Sequence, residues 1–169
     1  MEFNKTRILR ITTVAFIVIL LLFAGEWLYS TYTIEKSLLR DLSRKEYVED
    51  IHITREKDEF VISVKLKDVE NIKDTYNELY KELNNTLKNQ SFSLHIVNSP
   101  DNIIRDLYNN EIQYILYEAL QTGKYKQMSQ DLNKIELEYN VDIKTFLDTH
   151  FLYLQISHHG YDYYEIIQT

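Results

Sequence analysis

Residues 60–66 read Phe-Val-Ile-Ser-Val-Lys-Leu, and this stretch decides the fold class. Large apolar side chains stand at every second position, which is the pattern of a strand with one face in a core and the other in water. A shorter alternation at Ile51 and Ile53 precedes it, and the charged run 55–59 separates the two. The pattern therefore predicts an antiparallel β-hairpin from Tyr47 to Lys67.

Helical periodicity begins directly after this hairpin. Asp68 is a good helix N-cap, and apolar residues then recur every three or four positions up to Leu87. A second helix is expected after Ser99 as N-cap and Pro100 as first helical residue, and Gly123 suits its end. A third amphipathic helix is predicted over residues 125–139.

Strand-like segments fill the remaining sequence. Ser91–Val97 lies between the first and second helices and has apolar residues at every second position. The tail contains three more segments, at 141–145, 151–157 and 161–168. His159-Gly160 marks a tight turn between the last two strands. The predicted order is β-β-α-β-α-α-β-β-β. We expect an α+β domain over residues 47–169, built as a two-layer α/β sandwich with a mainly antiparallel sheet.

The N-terminal region has the character of a membrane anchor. Ile11–Gly25 is an uncharged apolar run, and with its flanks the candidate transmembrane span covers residues 8–29, which is 22 residues. About 20 residues suffice to cross the hydrocarbon core as a helix. Residues 1–29 are thus interpreted as a cytoplasmic tail and an uncleaved signal-anchor helix. A cleaved signal peptide is the alternative, with Leu28-Tyr29-Ser30 as a poor cleavage site.

Residues 30–46 connect the anchor to the domain. Apolar residues at helical spacing predict a juxtamembrane helical stalk, which runs too briefly to indicate a coiled coil. The short basic N-terminal flank, with Lys5, Arg7 and Arg10, favours a cytoplasmic N-terminus and an extracytoplasmic C-terminal domain. The expected location is the cell membrane, as a single-pass protein, and the Ile-, Lys-, Asn- and Tyr-rich composition suggests a bacterial chain.

Charge and cysteine content narrow the functional classes. From Glu26 to Thr169 the chain has 25 acidic and 16 basic side chains, a net charge of −9. An acidic domain repels phosphate backbones, so no nucleic-acid partner is expected. The chain has no cysteine, which excludes disulfides, thiolate metal sites and thiol catalysis. Its three glycines are isolated, so no glycine-rich phosphate loop is present.

No catalytic or cofactor motif stands out, and we expect no cofactor and no metal. His158 and His159 with Asp162 are the best candidates for metal ligands, but neighbouring strand residues point to opposite faces and chelate one ion poorly. A polar β-turn explains all three residues. His52, His95 and His150 are predicted to face solvent.

Tyrosine is the one residue used unusually often, with 14 in the chain. Tyr153, Tyr161, Tyr163 and Tyr164 cluster on the predicted final hairpin. Core packing is one explanation for them. The other is a partner-binding surface, because tyrosine offers a large contact area at small entropic cost. An edge strand in this hairpin could also accept a partner's strand.

The expected function is a non-enzymatic interaction or scaffold domain, tethered to the membrane and acting in a bacterial cell-envelope process. Its expected partners are membrane lipid, through the N-terminal helix, and another protein or a second copy of the chain. Two alternatives remain open from the residues alone. One is an envelope hydrolase with a site assembled from dispersed acidic and histidine residues, and the other is a small-ligand sensing domain.

Overall fold

The computed structural model describes residues 13–22, 35–57, 59–88 and 90–169. The fold is α+β, and its six strands follow in the predicted order. The single helix predicted between Ser99 and Gly123 is instead two helices joined by a π-helical turn. The strands are β1 (Val48–Glu56), β2 (Glu59–Leu66), β3 (Ser91–Val97), β4 (Asp142–Leu147), β5 (Phe151–His158) and β6 (Tyr161–Gln168). The main helices are α1 (Ile72–Leu87), α2 (Asn102–Leu107), α3 (Gln113–Thr122) and α4 (Tyr125–Tyr139), and a π-helical turn, Tyr108–Ile112, joins α2 to α3.

The strands form two separate three-stranded sheets. In the first, β1 and β2 make the predicted antiparallel hairpin, and β2 pairs in parallel with β3. Helix α1 connects β2 to β3, as a parallel pair requires a crossover. The second sheet is an antiparallel meander of β4, β5 and β6. Its last turn has positive φ at His159 (49°) and Gly160 (84°), the geometry of a tight two-residue hairpin loop.

The single sheet expected from the sequence is therefore replaced by two. The physical reason lies in β5, whose side chains are buried on both faces. Leu152, Leu154 and Ile156 pack against the α2–α4 layer, while Tyr153 on the opposite face joins the core formed by the first sheet and α1. A strand covered on both sides cannot belong to a two-layer sandwich, and β5 thus stands between two hydrophobic cores.

Two helices begin later than the sequence indicated. The N-cap of α1 is Asn71, not Asp68, and its side chain accepts hydrogen bonds from the N–H groups of Lys73 and Asp74. The N-cap of α2 is Asp101, not Ser99, and it accepts from the N–H of Ile104. Each segment offers several polar residues that can cap a helix, so local sequence leaves the choice to tertiary packing.

The anchor prediction falls largely on residues outside the described part of the chain. Of the predicted span 8–29, only residues 13–22 are described, and these are helical with exposed side chains. Among the described residues, no helix has both the length and the apolar character needed to cross a bilayer.

Within the predicted stalk 30–46, residues 35–42 are helical and pack against the domain. Leu38 and Leu42 are 1% and 0% exposed and belong to the same core as the first sheet. Lys45 then pairs with Glu78 and Glu82 of α1, at 2.8 Å in each case. Residues 35–42 therefore form part of the folded unit.

A buried glutamine joins the two sheets. The side chain of Gln155 in β5 is 1% exposed, and its Nε2 donates a hydrogen bond to the Val69 carbonyl at 2.6 Å. Its Oε1 accepts from the N–H of Ile72, the first residue of α1, at 3.2 Å. Both residues are buried, Val69 just before α1 and Ile72 at its start. One amide thus satisfies two buried groups and ties the first sheet's crossover to the centre of the second sheet.

Replacing Gln155 should destabilise the fold strongly. Gln155→Leu keeps the side-chain volume but leaves the Val69 carbonyl and the Ile72 N–H without partners, at a cost of about 2–4 kcal/mol in the free energy of unfolding. Urea unfolding of the full chain in mild detergent, followed by circular dichroism, measures this loss. Gln130→Leu on the exposed surface of α4 is the control and should change stability by less than about 0.5 kcal/mol. Equal effects from the two variants would contradict the bridging role.

Candidate functional site

A cleft separates the two sheets along β3 and β6. Each is the edge strand of its own sheet, and both line a cavity of about 360 Å³, which we call the inter-sheet cleft. Leu94 and Ile96 line it from β3, and Ile166 and Gln168 line it from β6. No backbone ladder joins β3 to β6 in the described chain. The volume falls in the range of binding sites rather than of packing defects.

An asparagine closes one end of the inter-sheet cleft. Asn98 follows β3, and its Nδ2 donates to the carbonyl of Tyr164 at 2.8 Å. Its Oδ1 accepts from the N–H of Tyr164, also at 2.8 Å. The side-chain amide therefore makes the pair of hydrogen bonds with β6 that a residue of a neighbouring strand would make.

These two bonds fix which backbone groups of β6 face the cleft. Because the N–H and C=O of Tyr164 both point toward Asn98, they point away from β5. Backbone groups in an antiparallel strand alternate between its two edges. The N–H and C=O of Ile166 and Gln168 therefore also point into the cleft, and no described residue pairs with them. The next residue, Thr169, has its backbone groups on the opposite edge. Its N–H donates to the carbonyl of His150, beside β5, at 2.9 Å.

Side chains along the cleft are less covered than their neighbours one strand away. Phe60, Ile62 and Val64 of β2 are at most 1% exposed. Their register partners on β3 are Phe92, Leu94 and Ile96, which are only half-buried. This face of the first sheet is thus fully covered at β2 but only partly covered at β3.

Aromatic rings extend this apolar lining across to the second sheet. Tyr76 of α1 and Phe151 of β5 both line the cleft, and their rings meet edge to face with centroids 6.0 Å apart. Burial, followed by the nearby Tyr80 hydroxyl, raises the pKa of Tyr76, so this residue stays neutral at physiological pH. Tyr80 in turn contacts Phe92 at 5.2 Å. Helix α1 therefore carries an aromatic strip from one sheet to the other.

The four tyrosines of the final hairpin do not share one surface. Tyr153 and Tyr164 are 0% and 3% exposed and belong to the core of the first sheet. Tyr163 is half-buried on the opposite face, against the helical layer. Only Tyr161, 51% exposed, is open to solvent. Core packing accounts for Tyr153 and Tyr164, and Tyr164 also borders the inter-sheet cleft.

The histidines do not converge on a metal site. No group of three or more potential ligands is close enough to hold a metal ion in the described ranges. His158 is nearly buried, and its Nδ1 lies 2.6 Å from Oδ2 of Asp101, the N-cap of α2. The contact ties the β5–β6 hairpin to the start of the helical layer, and His158 is therefore explained by structure. His52 in β1 and His95 in β3 are exposed, as the alternation predicted. His150 is also exposed, but it lies in the turn between β4 and β5 and not in a strand.

The sequence signals the two amides that join the sheets unequally. Gln155 is the one polar residue within the apolar run 151–156, and a polar side chain in such a run signals a buried partner. Asn98 carries no comparable signal, because the segment Asn98–Asp101 has the composition of an ordinary helix-capping loop.

No family model, curated protein or solved structure matches this chain significantly. The geometry of the inter-sheet cleft is therefore the basis for a functional proposal.

Substitutions of Asn98 should test whether its amide pins the two edges together. Asn98→Asp retains an acceptor for the Tyr164 N–H but sets a carboxylate oxygen against the Tyr164 carbonyl. We expect it to destabilise the chain by about 2 kcal/mol or more, beyond the ~1 kcal/mol expected of Asn98→Ala. Chemical denaturation measures both. Asn133→Asp on the exposed surface of α4 is the control. A smaller loss for Asn98→Asp than for Asn98→Ala would contradict the double hydrogen bond.

Asp101 should make the free energy of unfolding depend on pH in the acidic range. Burial alone would raise the pKa of its carboxyl, but hydrogen bonds from the Ile104 N–H and from His158 outweigh burial and lower the pKa below its usual 3.8. A carboxyl whose pKa is lowered by folding stabilises the fold at pH values above its ordinary pKa. This contribution is lost as the pH falls through the lowered pKa. Asp101→Asn should therefore cost about 1 kcal/mol at pH 6 and progressively less toward pH 2.

Denaturation curves between pH 6 and pH 2 measure this difference. Asp106→Asn, at an exposed position of the same helix, is the matched control and should lie close to the wild type throughout. A difference between Asp101→Asn and the wild type that is constant with pH would contradict an ionised Asp101 in the folded state.

Proposed function

We propose that this chain is a non-enzymatic, membrane-tethered interaction module whose inter-sheet cleft binds a segment of a partner protein. The observation that carries the proposal is the pair of unpaired strand edges, β3 and β6, that line one cleft. Unpaired backbone edges attract other chains, and proteins usually shield them. Here two such edges and a partly exposed apolar strip meet at one place, which favours a site kept open for a partner.

The chemistry of the lining favours binding over catalysis. Its titratable side chains outside the tyrosines are His95 and Glu165. Glu165 already accepts a hydrogen bond from the Tyr163 hydroxyl at 2.7 Å, while His95 is exposed on β3. The closest histidine–carboxylate pair, His158 with Asp101, is not part of this lining. Backbone amides and apolar side chains remain as the recognition groups of the cleft.

The cellular setting of the proposal rests on the sequence. The apolar span 8–29 with its basic N-terminal flank supports a single-pass anchor and an extracytoplasmic C-terminal domain in a bacterial envelope. Residues 35–42 pack into the core of the domain, so an anchor would hold the module through a short connection. Such a tether restricts the module to partners at the same membrane, which raises their effective concentration.

Site-specific photo-crosslinking in native cells tests the proposal. A photoreactive amino acid at His95 or Gln168, both exposed at the cleft, should yield a discrete adduct with one partner protein. The same amino acid at Leu137 of α4, which is 77% exposed, should not yield that adduct. Leu94→Arg adds a charge to the apolar lining and should reduce the adduct at Gln168 at least fivefold.

If one partner crosslinks equally from His95, Gln168 and Leu137, it contacts the domain without binding in the cleft, which would contradict the proposal. Absence of an adduct at both His95 and Gln168 would contradict the proposed function. Circular dichroism of Leu94→Arg confirms that the variant remains folded before its adduct is compared.

A further inference from the structure

We propose that the bound segment is an extended strand of another protein, inserted between β3 and β6 and hydrogen-bonded to both. This inference rests on the proposed function and specifies how the partner is recognised. With the strand in place, the two three-stranded sheets would become one continuous sheet. Addition of a strand to one exposed edge is a common mode of peptide recognition, whereas this cleft offers two edges at once.

Asn98 provides a one-residue example of such an occupant. Its amide group stands beside β6 and satisfies both the N–H and the C=O of Tyr164. The edge of β6 is thereby already paired with an amide at the closed end of the cleft. Two residues further along, the outward groups of Ile166 repeat the same geometry without a partner in the described chain. A peptide backbone supplies the same donor and acceptor at the repeat that a strand edge requires.

The directions of the two edges define the insertion. From the closed end at Asn98 and Tyr164, the lining continues through decreasing residue numbers on β3 and increasing numbers on β6. The two edges therefore run antiparallel to each other. An inserted strand is parallel to one and antiparallel to the other, and the N–H groups of its successive residues point alternately to β3 and β6.

The side-chain pattern of the partner follows from the two faces of the cleft. One face meets Leu94, Ile96 and Ile166 with the aromatic pair Tyr76 and Phe151, so every second residue of the partner should be apolar. The residues between them point toward the side of His95 and Glu165. Because the chain from Glu26 onward has a net charge of −9, lysine or arginine is favoured at these positions.

A library of random octapeptides, panned on the immobilised full chain in detergent, tests the pattern. Enriched peptides should have apolar residues at alternate positions with basic residues between them. N-methylation of alternate amides in an enriched peptide then separates the binding modes. In a strand inserted between two edges, every second N–H bonds to β3 and the others bond to β6. Methylation of either set of alternate amides should therefore weaken binding at least fivefold.

Two substitutions of Ile166 test the same hydrogen bonds from the protein side. Ile166→Pro removes an N–H that faces the cleft and preserves the ladder with β5, a placement that edge strands tolerate. It should weaken peptide binding at least fivefold relative to Ile166→Ala, which shortens the side chain but retains the N–H. If Ile166→Pro does not fold, the N-methylated peptides measure the same contribution on the wild-type chain.

The outcomes separate this inference from the proposed function. Failure to enrich peptides, or enrichment without period-two apolar positions, overturns strand insertion. If methylation weakens binding at only one of the two sets of alternate amides, the peptide is added to a single edge, which also overturns insertion. In each of these cases, cleft-dependent crosslinks at His95 and Gln168 would leave the proposed function standing. Their absence would remove both. Displacement of the peptide by a second copy of this chain would overturn the assignment to another protein.

Discussion

The arrangement of the whole domain depends on side-chain amides that join two sheets without a common backbone ladder. Gln155 bonds to the Val69 carbonyl and the Ile72 N–H from the centre of the second sheet. Asn98 bonds to both backbone groups of Tyr164 from the end of the first. Buried amides with both halves satisfied have one favourable geometry, and a missing partner costs more than the bond itself contributes. Both amides act at the same level of the second sheet, because Gln155 is the register partner of Tyr164. The edges of β3 and β6 beyond that level stay unpaired.

Helix α1 explains why the edges remain apart. Its tyrosines contact Phe92 in the first sheet and Phe151 and Tyr153 in the second, so one helix covers both apolar faces. This shared covering lets the two sheets contribute to one core without direct strand pairing. The cost is a pair of edges with unsatisfied backbone groups, which proteins normally conceal. A binding role gives a reason for keeping such edges accessible.

Sequence periodicity predicted the strands and helices well, since each has a distinct apolar repeat. The alternation at 60–66 and the turn signal at His159-Gly160 identified strands, and the long amphipathic stretch to Leu87 identified α1. Periodicity specifies which face of a strand is buried, but not which strand lies beside it. The division into two sheets therefore could not be predicted. The run 151–156, which is apolar except for Gln155, was the available signal, because a strand with one face in water seldom lacks alternation.

The candidate site was harder to predict than the fold. The sequence directed attention to the tyrosines of the final hairpin, and two of these, Tyr153 and Tyr164, fill the core instead. The cleft depends on backbone groups of β3 and β6, and backbone groups have no residue-type signature. The proposed membrane anchor, by contrast, follows from composition alone and is independent of the cleft.

Amide hydrogen exchange along β6 of the unliganded chain tests the open inter-sheet cleft most directly. Tyr163, Glu165 and Ile167 should exchange slowly because they bond to β5, and Tyr164 should be protected by Asn98. Ile166 and Gln168 should exchange much faster, since their N–H groups face the cleft without a partner. Protection of Ile166 and Gln168 equal to that of Tyr164 would show that the two sheets are closed against each other and would contradict the account.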